Sequence, residues 1–534
     1  MRWLPLLVLF GCGGDPAAPA APAANGGTHP VIVLGFDGMD WGSVDELQAQ
    51  GQLPNIKAFR EKAAQAKLGT DYDARSPIVW TTMATGVDMD DHGVTDFATS
   101  TEKGLVAMSS AVRKVPAIWN MVSKADKKVA VVGLWATFPA EDVNGVILSD
   151  KAGTKEKGRI VSPDSYRATF DVEIEKAHAD RSLFPTDEYI GPNDRMAAHF
   201  TPILEKEGYD LIWSYLRGID VVSHEYWKYW RPGDFMVDPA ELEKYKDVIP
   251  QKYRAMDTVI GAAVAAAPPD ANIFILSDHG FESMKPELVM VSLDFYAVLE
   301  HVGVLTADEK GTPDFAKSTV YGYQAQNHRS TKYLRVAMAG REEGGKVPAA
   351  KLPEIRAKLT ERLGKFTWAD GTSKVFSVRD LKDKEKADVG VGGADFAVDV
   401  ILVNAGGVVL DGGKELPGVV KNVTGRSGYH RKNPPGVFMA RGPDIDPAAN
   451  LDGIRIHDIT PTLLYALGLP VAEDFDGVTR TQLFTKEFQG AHALQKIPTY
   501  GKSGATSGTV EASDNEATME QLKKLGYLDE EEKK

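Results

Sequence analysis

Two apolar runs that each end in an acid constrain this chain more than any other feature. Val31 to Phe36 runs into Asp37-Gly38, and Asn272 to Leu276 runs into Ser277-Asp278-His279-Gly280. A run that is apolar at nearly every position, not at every second one, reads as a strand buried on both faces, which belongs in a parallel sheet covered by helices. Val129 to Leu134, Asp210 to Leu216 and Gly436 to Ala440 have the same character, with helical periodicity between them. The alternation predicts an α/β protein with a largely parallel sheet. In such sheets ligands gather outside the carboxyl ends of the strands. Asp37, Asp278 and His279 are therefore expected at one rim.

Among the intervening segments, Asn55 to Ala66 reads as a helix introduced by Pro54, Pro239 to Ala267, rich in charged residues and alanine, as containing a long helix before Pro268-Pro269, and His457 to Leu467 as a late helix. From about Lys285 to Thr424 the pattern is less regular and Gly/Lys-rich turns interrupt it, which suggests an inserted cap region. From Gly501 the chain is rich in Ser, Gly, Glu and Lys and reads as a disordered tail, with a short helix at Met519 to Leu528. The expected division is a leader and tether over 1–28, a catalytic domain over 29–500 with its cap at about 285–424, and a tail over 501–534.

The 534 residues carry a net charge of −14 and no basic block, which argues against a nucleic-acid backbone as partner. The single cysteine, Cys12, excludes an internal disulfide and a thiolate metal cluster. It follows Arg2 and the apolar run Trp3 to Phe10, too short to span a bilayer as a helix. Leu9-Phe10-Gly11-Cys12 resembles the lipobox of bacterial lipoproteins, in which the cysteine becomes the acylated first residue. Asp15 to Gly27 is almost entirely Pro, Ala and Gly, a composition suited to a tether. The expectation is an exported protein held at a bacterial membrane through Cys12, facing the periplasm or the cell surface.

Other chemistry-bearing residues are scattered. Ser76-Pro77 precedes a helical pattern through Trp80 and Met83, so Ser76 reads as a helix N-cap and equally as a hydroxyl held where a helix end stabilises phosphate. Asp220 and His224 are four apart, sharing a helix face or chelating an ion from a loop. His430 lies in the glycine-rich stretch Gly425-Arg426-Ser427-Gly428-Tyr429-His430. Each has a bland alternative as a cap, a solvated acid or a loop histidine. Together, three aspartates, three histidines and a hydroxyl fill two sites of nitrogen and oxygen ligands, the mix that suits zinc and tolerates manganese.

With these residues in place the chain resembles the alkaline phosphatase superfamily, most closely its type I phosphodiesterase and nucleotide pyrophosphatase branch. The resemblance runs from about His29 to Leu483. It rests on the strand ending in Asp37-Gly38, the run from Ser76-Pro77 through Trp80 to Thr85-Gly86, Asp91-His92-Gly93, Asp278-His279-Gly280, and Asp458-Ile459-Thr460-Pro461 followed by Asp476-Gly477. It implies a three-layer α/β/α core and a phosphoric ester hydrolase acting on a small molecule. One metal ion would be held by Asp37, Asp278, His279 and the nucleophile Ser76, the second by Asp220, His224 and His430, with His92 structural. Ser76 would attack phosphorus in line, giving a phosphoseryl intermediate.

The chain departs from that branch where an asparagine usually follows the His-Gly pair. Here the neighbourhood is Val94-Thr95-Asp96-Phe97, and Arg75, Arg217, Arg431 and Lys432 are candidates for the phosphate contact. Tyr226, Trp227, Tyr229 and Trp230 could line a substrate pocket or pack in the core. Competing readings are a sulfatase, whose Cys/Ser-x-Pro-x-Arg pattern is not met at Ser76, a phosphomutase on the same core, and an anchored binding protein without activity. For the anchor, cells fed radiolabelled palmitate should label the full-length chain and fail to label Cys12→Ala; label that persists in the variant would rule the anchor out.

Overall fold

A computed structural model describes residues 28–502, apart from 72–74, 102–103, 155–156, 181–190, 236, 285–290, 308–312, 324–330, 388–392, 402–407, 424–426 and 431–432. Cys12 and its tether, Arg426, Arg431, Lys432 and the tail beyond Lys502 lie outside the described residues.

An eight-stranded sheet forms the centre of the fold. Numbering its strands alone, these are β1 (Val31–Phe36), β2 (Ala64–Leu68), β3 (Val129–Val132), β4 (Gly145–Leu148), β5 (Val161–Ser162), β6 (Leu211–Leu216), β7 (Asn272–Leu276) and β8 (Gly436–Arg441). Their spatial order is β2-β8-β7-β1-β6-β3-β4-β5. β7, β1, β6, β3 and β4 run parallel, whereas β8 pairs antiparallel with both β7 and β2, and β5 pairs antiparallel with β4.

Because successive side chains of a strand point to opposite faces, β1 feeds two cores at once. Val31 and Val33 pack with Trp80, Trp119, Trp213 and Leu463 on one face. Ile32, Leu34 and Phe36 pack with Phe170, Phe200, Met256 and Ile260 on the other. The result is a three-layer α/β/α sandwich. Each fully buried aliphatic or phenyl group contributes about 1.5–3 kcal/mol, so the strand carrying Asp37 is held from both sides.

One helical expectation changes. The helix introduced by Pro54 ends at Arg60, and Ala64–Leu68 is an edge strand. Ala64 and Leu68 are buried while Gln65 is exposed, the alternation of a half-covered strand. The segment Pro239 to Ala267 contains a short helix, Pro239–Tyr245, and then the expected long one, Val248–Ala266. The first is capped by the Asp238 carboxylate, which accepts from the amides of Ala240 and Glu241 at 2.8 and 3.2 Å.

Within the stretch read as a cap, a separate apolar cluster includes Val298, Leu334, Trp368 and Phe396. It surrounds an antiparallel sheet of Val320–Gly322, Thr331–Val336, Phe396–Val400 and Phe376–Arg379. The strands Val291–Leu293 and Val420–Val423 pair antiparallel, so the chain leaves and returns side by side. Among the described residues, no helix is long and apolar enough to cross a membrane.

Candidate active site

β1 ends where its backbone passes from the ladder into a turn: the Asp37 amide donates to Leu216 O at 2.9 Å, and Gly38 follows with φ 69°. That left-handed conformation suits glycine. A Cβ there would also come within 2.6 Å of the Phe281 ring and 3.1 Å of Asp220 Cα. Asp37 is buried. Its Oδ2 accepts from the Tyr215 hydroxyl and from Trp80 Nε1, the latter at 3.2 Å. Gly35, two residues back, leaves room for Trp80, since a Cβ would lie 2.7 Å from the indole. These contacts turn the other oxygen, Oδ1, away from both donors.

The neighbouring strand ends the same way. After β7, Asp278 and His279 are wholly buried, and Asp278 Oδ1 accepts from the Gly38 amide at 3.2 Å. His279 Nε2 lies 3.4 Å from Asp37 Oδ1 and 3.4 Å from Asp278 Oδ2. None of these three atoms makes a hydrogen bond among the described residues. Orphaned ligand atoms converging in a dry site are costly unless a further partner joins them.

The helix Gly218–Trp230 begins directly after β6 and settles the placement of Asp220 and His224 on one helical face. The Asp220 amide donates to Asp37 O at 3.1 Å, tying this helix to the end of β1. Asp220 Oδ1 lies 3.3 Å from His224 Nε2, 3.8 Å from His430 Nε2 and 3.9 Å from His279 Nε2. The structure thus brings together two groups of ligand type, Asp37 with Asp278 and His279, and Asp220 with His224 and His430. The His279 and His430 rings stack at 3.8 Å between them.

Second contacts set the ring orientations. His224 Nδ1 donates to Gly428 O at 3.0 Å, and His279 Nδ1 donates to Gly280 O at 3.0 Å. A carbonyl can only accept, so in the neutral rings the proton sits on Nδ1 and the Nε2 lone pair is left facing the carboxylates, the form a metal ion requires. Phe281 packs against all three imidazoles at 5.0 to 5.6 Å.

Electrostatics record the crowding. Burial, then the charge of Asp37, holds Asp278 well above the usual carboxylate range. Burial would raise Asp220 too, but His224, His430 and His279 drive it far below. Burial pulls His279 down, yet Asp278, Asp37 and Asp220 together push it up to about 10. Burial and Asp37 keep Tyr215 protonated, as its donation to Asp37 demands. Three buried acids competing for positive charge, with unbonded oxygens on Asp37 and Asp278 and with oriented imidazoles, make a donor set that divalent cations fit.

Ser76 is buried and opens the helix Ser76–Thr85, but Arg75 is the N-cap, and Ser76 is the first helical residue with Pro77 second. Proline has no amide to donate and its fixed φ suits the opening turn, so the helix starts one residue earlier than expected. Ser76 lies one turn before Trp80, on the helical face that reaches Asp37. Thr82 is occupied elsewhere. His92 Nδ1 accepts from the Val94 amide at 3.1 Å, so Nε2 carries the proton donated to Thr82 Oγ1 at 3.0 Å.

Of the flanking cations, Arg75 pairs with Asp96 at 2.7 Å, so the residue at the expected asparagine neighbourhood holds an arginine beside Ser76. Trp227 and Tyr229 are core residues: Trp227 stacks on Phe281 at 5.6 Å and donates to Ser283 Oγ at 3.0 Å, and the Tyr229 hydroxyl donates to Glu241 at 2.9 Å. The sequence reading missed Tyr215 and Phe281. A tyrosine inside an otherwise apolar strand was the available signal for the first; Phe281, directly after Asp278-His279-Gly280, gave none.

The sequence matches the family model of type I phosphodiesterase / nucleotide pyrophosphatase over residues 31–430, and the chain belongs to that family. It is accordingly a hydrolase of phosphoric esters in the alkaline phosphatase superfamily. No curated protein matches the sequence significantly. Among solved structures, human ectonucleotide pyrophosphatase/phosphodiesterase 5 is 13% identical, with 86% of this chain and 100% of that one covered and a TM-score of 0.48. The inactive murine counterpart in complex with AMP is 13% identical over 86% and 100%, with a TM-score of 0.46. Phosphonoacetate hydrolase from Sinorhizobium meliloti, in complex with phosphonoformate, is 13% identical over 84% and 96%, with a TM-score of 0.44.

His92 gives a stability test of the helix that presents Ser76. Burial lowers it from 6.5 to about 3, so it stays neutral in the folded chain while the unfolded chain binds a proton below pH 6.5. Its contribution is present above that pH and is lost as pH falls, by about 1.4 kcal/mol per unit. The stability advantage of the wild type over His92→Gln, read from urea midpoints, should shrink at that slope between pH 6.5 and 4.5. A pH-independent difference would contradict the assignment.

Proposed function

We propose that this chain is a dinuclear metal-dependent phosphodiesterase or phosphatase with Ser76 as nucleophile. The observation that supports it most is the meeting of Asp37, Asp278 and His279 with Asp220, His224 and His430 at the carboxyl ends of β1, β6 and β7, within 3.9 Å of one another through Asp220 and His279. One ion would be held by the first three residues with Ser76, the other by the second three. Zinc fits the nitrogen and oxygen donors best, and manganese is the alternative. When bound, the ions would supply Lewis-acid stabilisation of charge on the phosphoryl oxygens and on the serine oxygen.

The chain's own residues account for the rest. The Ser76 oxygen forms a bond to phosphorus as the ester oxygen leaves, and the phosphoseryl group is later hydrolysed. Its place in the first turn of a helix puts the attacked group near the positive end of the dipole. Trp80 and Tyr215 lock Asp37, and Phe281 closes the underside of the histidines, so the site is organised before substrate arrives. The substrate is a small phosphate ester. The body is proposed to be held at a bacterial membrane by acylated Cys12 through the Pro/Ala tether, with the 291–423 module as a cap on the catalytic domain.

Metal analysis of the purified protein should give two divalent ions per chain, with Asp278→Asn losing at least one; fewer than two in the wild type would sink the dinuclear reading. Ser76→Ala should lower turnover of a chromogenic phosphodiester by roughly 10³-fold or more while the ions stay bound. Undiminished turnover in that variant would move the nucleophile elsewhere.

A further inference from the structure

The rim that carries Asp37 continues past it. In the order β1-β6-β3-β4, the residues delivered beyond the strand ends are Asp37, then Arg217, Trp135 and Lys151. All three newcomers are more than nine-tenths buried, at 8%, 7% and 6% exposure. The Arg217 guanidinium lies 6.0 Å from the Trp135 ring centroid and the Lys151 ammonium 5.9 Å from it. Trp135 Nε1 donates to the Tyr215 hydroxyl at 2.7 Å, and that hydroxyl donates to Asp37, so the indole is two hydrogen bonds from the acid cluster.

Charge in this corner is unbalanced. Lys151 faces Asp150 at 3.2 Å. The Arg217 side chain makes no hydrogen bond or ion pair among the described residues. Its backbone amide donates to Asp194 Oδ1 at 2.9 Å, and Asp194 also faces the buried Lys252. The charge of Asp194 is thus shared between Arg217 and Lys252, one buried carboxylate for two buried cations, and a desolvated guanidinium held only through such a shared charge is stabilised when an anion joins it. Its planar fork matches the two oxygens of a carboxylate or phosphate.

We propose that Arg217 and Lys151, on either side of Trp135, form a subsite for a second oxyanion of the substrate, a carboxylate or phosphate group set apart from the phosphorus under attack. The subsite rests on the hydrolase reading for its link to catalysis. The substrate class it defines is a phosphate ester bearing another anionic group, anchored at the β6-β3-β4 end of the rim while the ester bond lies at the β7-β1-β6 end. Neither cation touches the reacting atoms; both select and orient.

Binding and turnover test it separately. In the Asp278→Asn background, titration calorimetry with inorganic phosphate and with succinate should show one saturable site. Adding Arg217→Met or Lys151→Met should weaken it at least tenfold, and Arg217→Lys should restore part of the loss. The anion bound more tightly identifies the group the subsite takes. Absence of the site, or binding indifferent to both methionine variants, overturns the proposal and leaves the hydrolase reading intact. Should that background fail to fold, paired chromogenic phosphodiesters with and without a remote carboxylate decide in otherwise wild-type protein. The kcat/KM ratio should favour the carboxylate-bearing ester at least tenfold and approach one in Lys151→Met or Arg217→Met. A ratio near one in the wild type, or one unmoved by either variant, overturns it. Loss of all turnover in Ser76→Ala with phosphate binding kept would separate the two sites.

Discussion

Three carboxylates buried at one edge of a sheet set the terms for everything around them. Asp37, Asp220 and Asp278 have between them almost no exposure to water, and an ionised carboxylate moved into a dry interior loses solvation worth several kcal/mol even after relaxation. The fold could have neutralised them with arginine or lysine. It places histidines there instead, with two of the rings turned by backbone carbonyls so that Nε2 faces the oxygens. Imidazoles can give up their protons to a divalent ion, which fixed cations cannot. The arrangement is therefore strained in charge without an ion and balanced with one.

Holding such a cluster requires a rigid frame, and the sheet supplies it through connectivity. The acids come together just beyond neighbouring strands because β7, β1 and β6 are adjacent although far apart in sequence. Main-chain amides then join the ends, Asp37 donating to Leu216 O, Asp220 to Asp37 O, and Gly38 to the Asp278 carboxylate. The helix of Ser76 is clamped at two levels, by Trp80 on Asp37 and by Thr82 on His92. Ser76 shares this clamped helix with Trp80, so it is held in place relative to Asp37, as the in-line chemistry proposed for it requires.

Much of this was legible in the residues. Continuous apolar runs gave β1, β6 and β7 to within a residue, because strands buried on both faces admit little else. The pairing of Asp220 with His224 was readable as a helical spacing, though the choice between helix and loop needed the structure. The edge strand at Ala64 was not legible, since alternation over five residues is easily absorbed into a preceding helix. Tyr215 and Trp135 were beyond reach for another reason: their roles arise from strand order, which places β6 and β3 beside β1, and no local pattern encodes it.

The same strand order explains how opposite charges can share one rim without cancelling. Arg217 follows β6 directly and Asp37 follows β1, its immediate neighbour in the sheet. An ion pair between them would consume an oxygen that the ligand cluster needs. Instead, the neutral donors Tyr215 and Trp135 occupy the ground between, and Tyr215 satisfies Asp37 Oδ2 with a hydrogen bond that adds no charge. Burial and the negative neighbour keep that hydroxyl protonated, so the insulation holds across ordinary pH. An acidic sector and a basic one can then share the rim without pairing with each other.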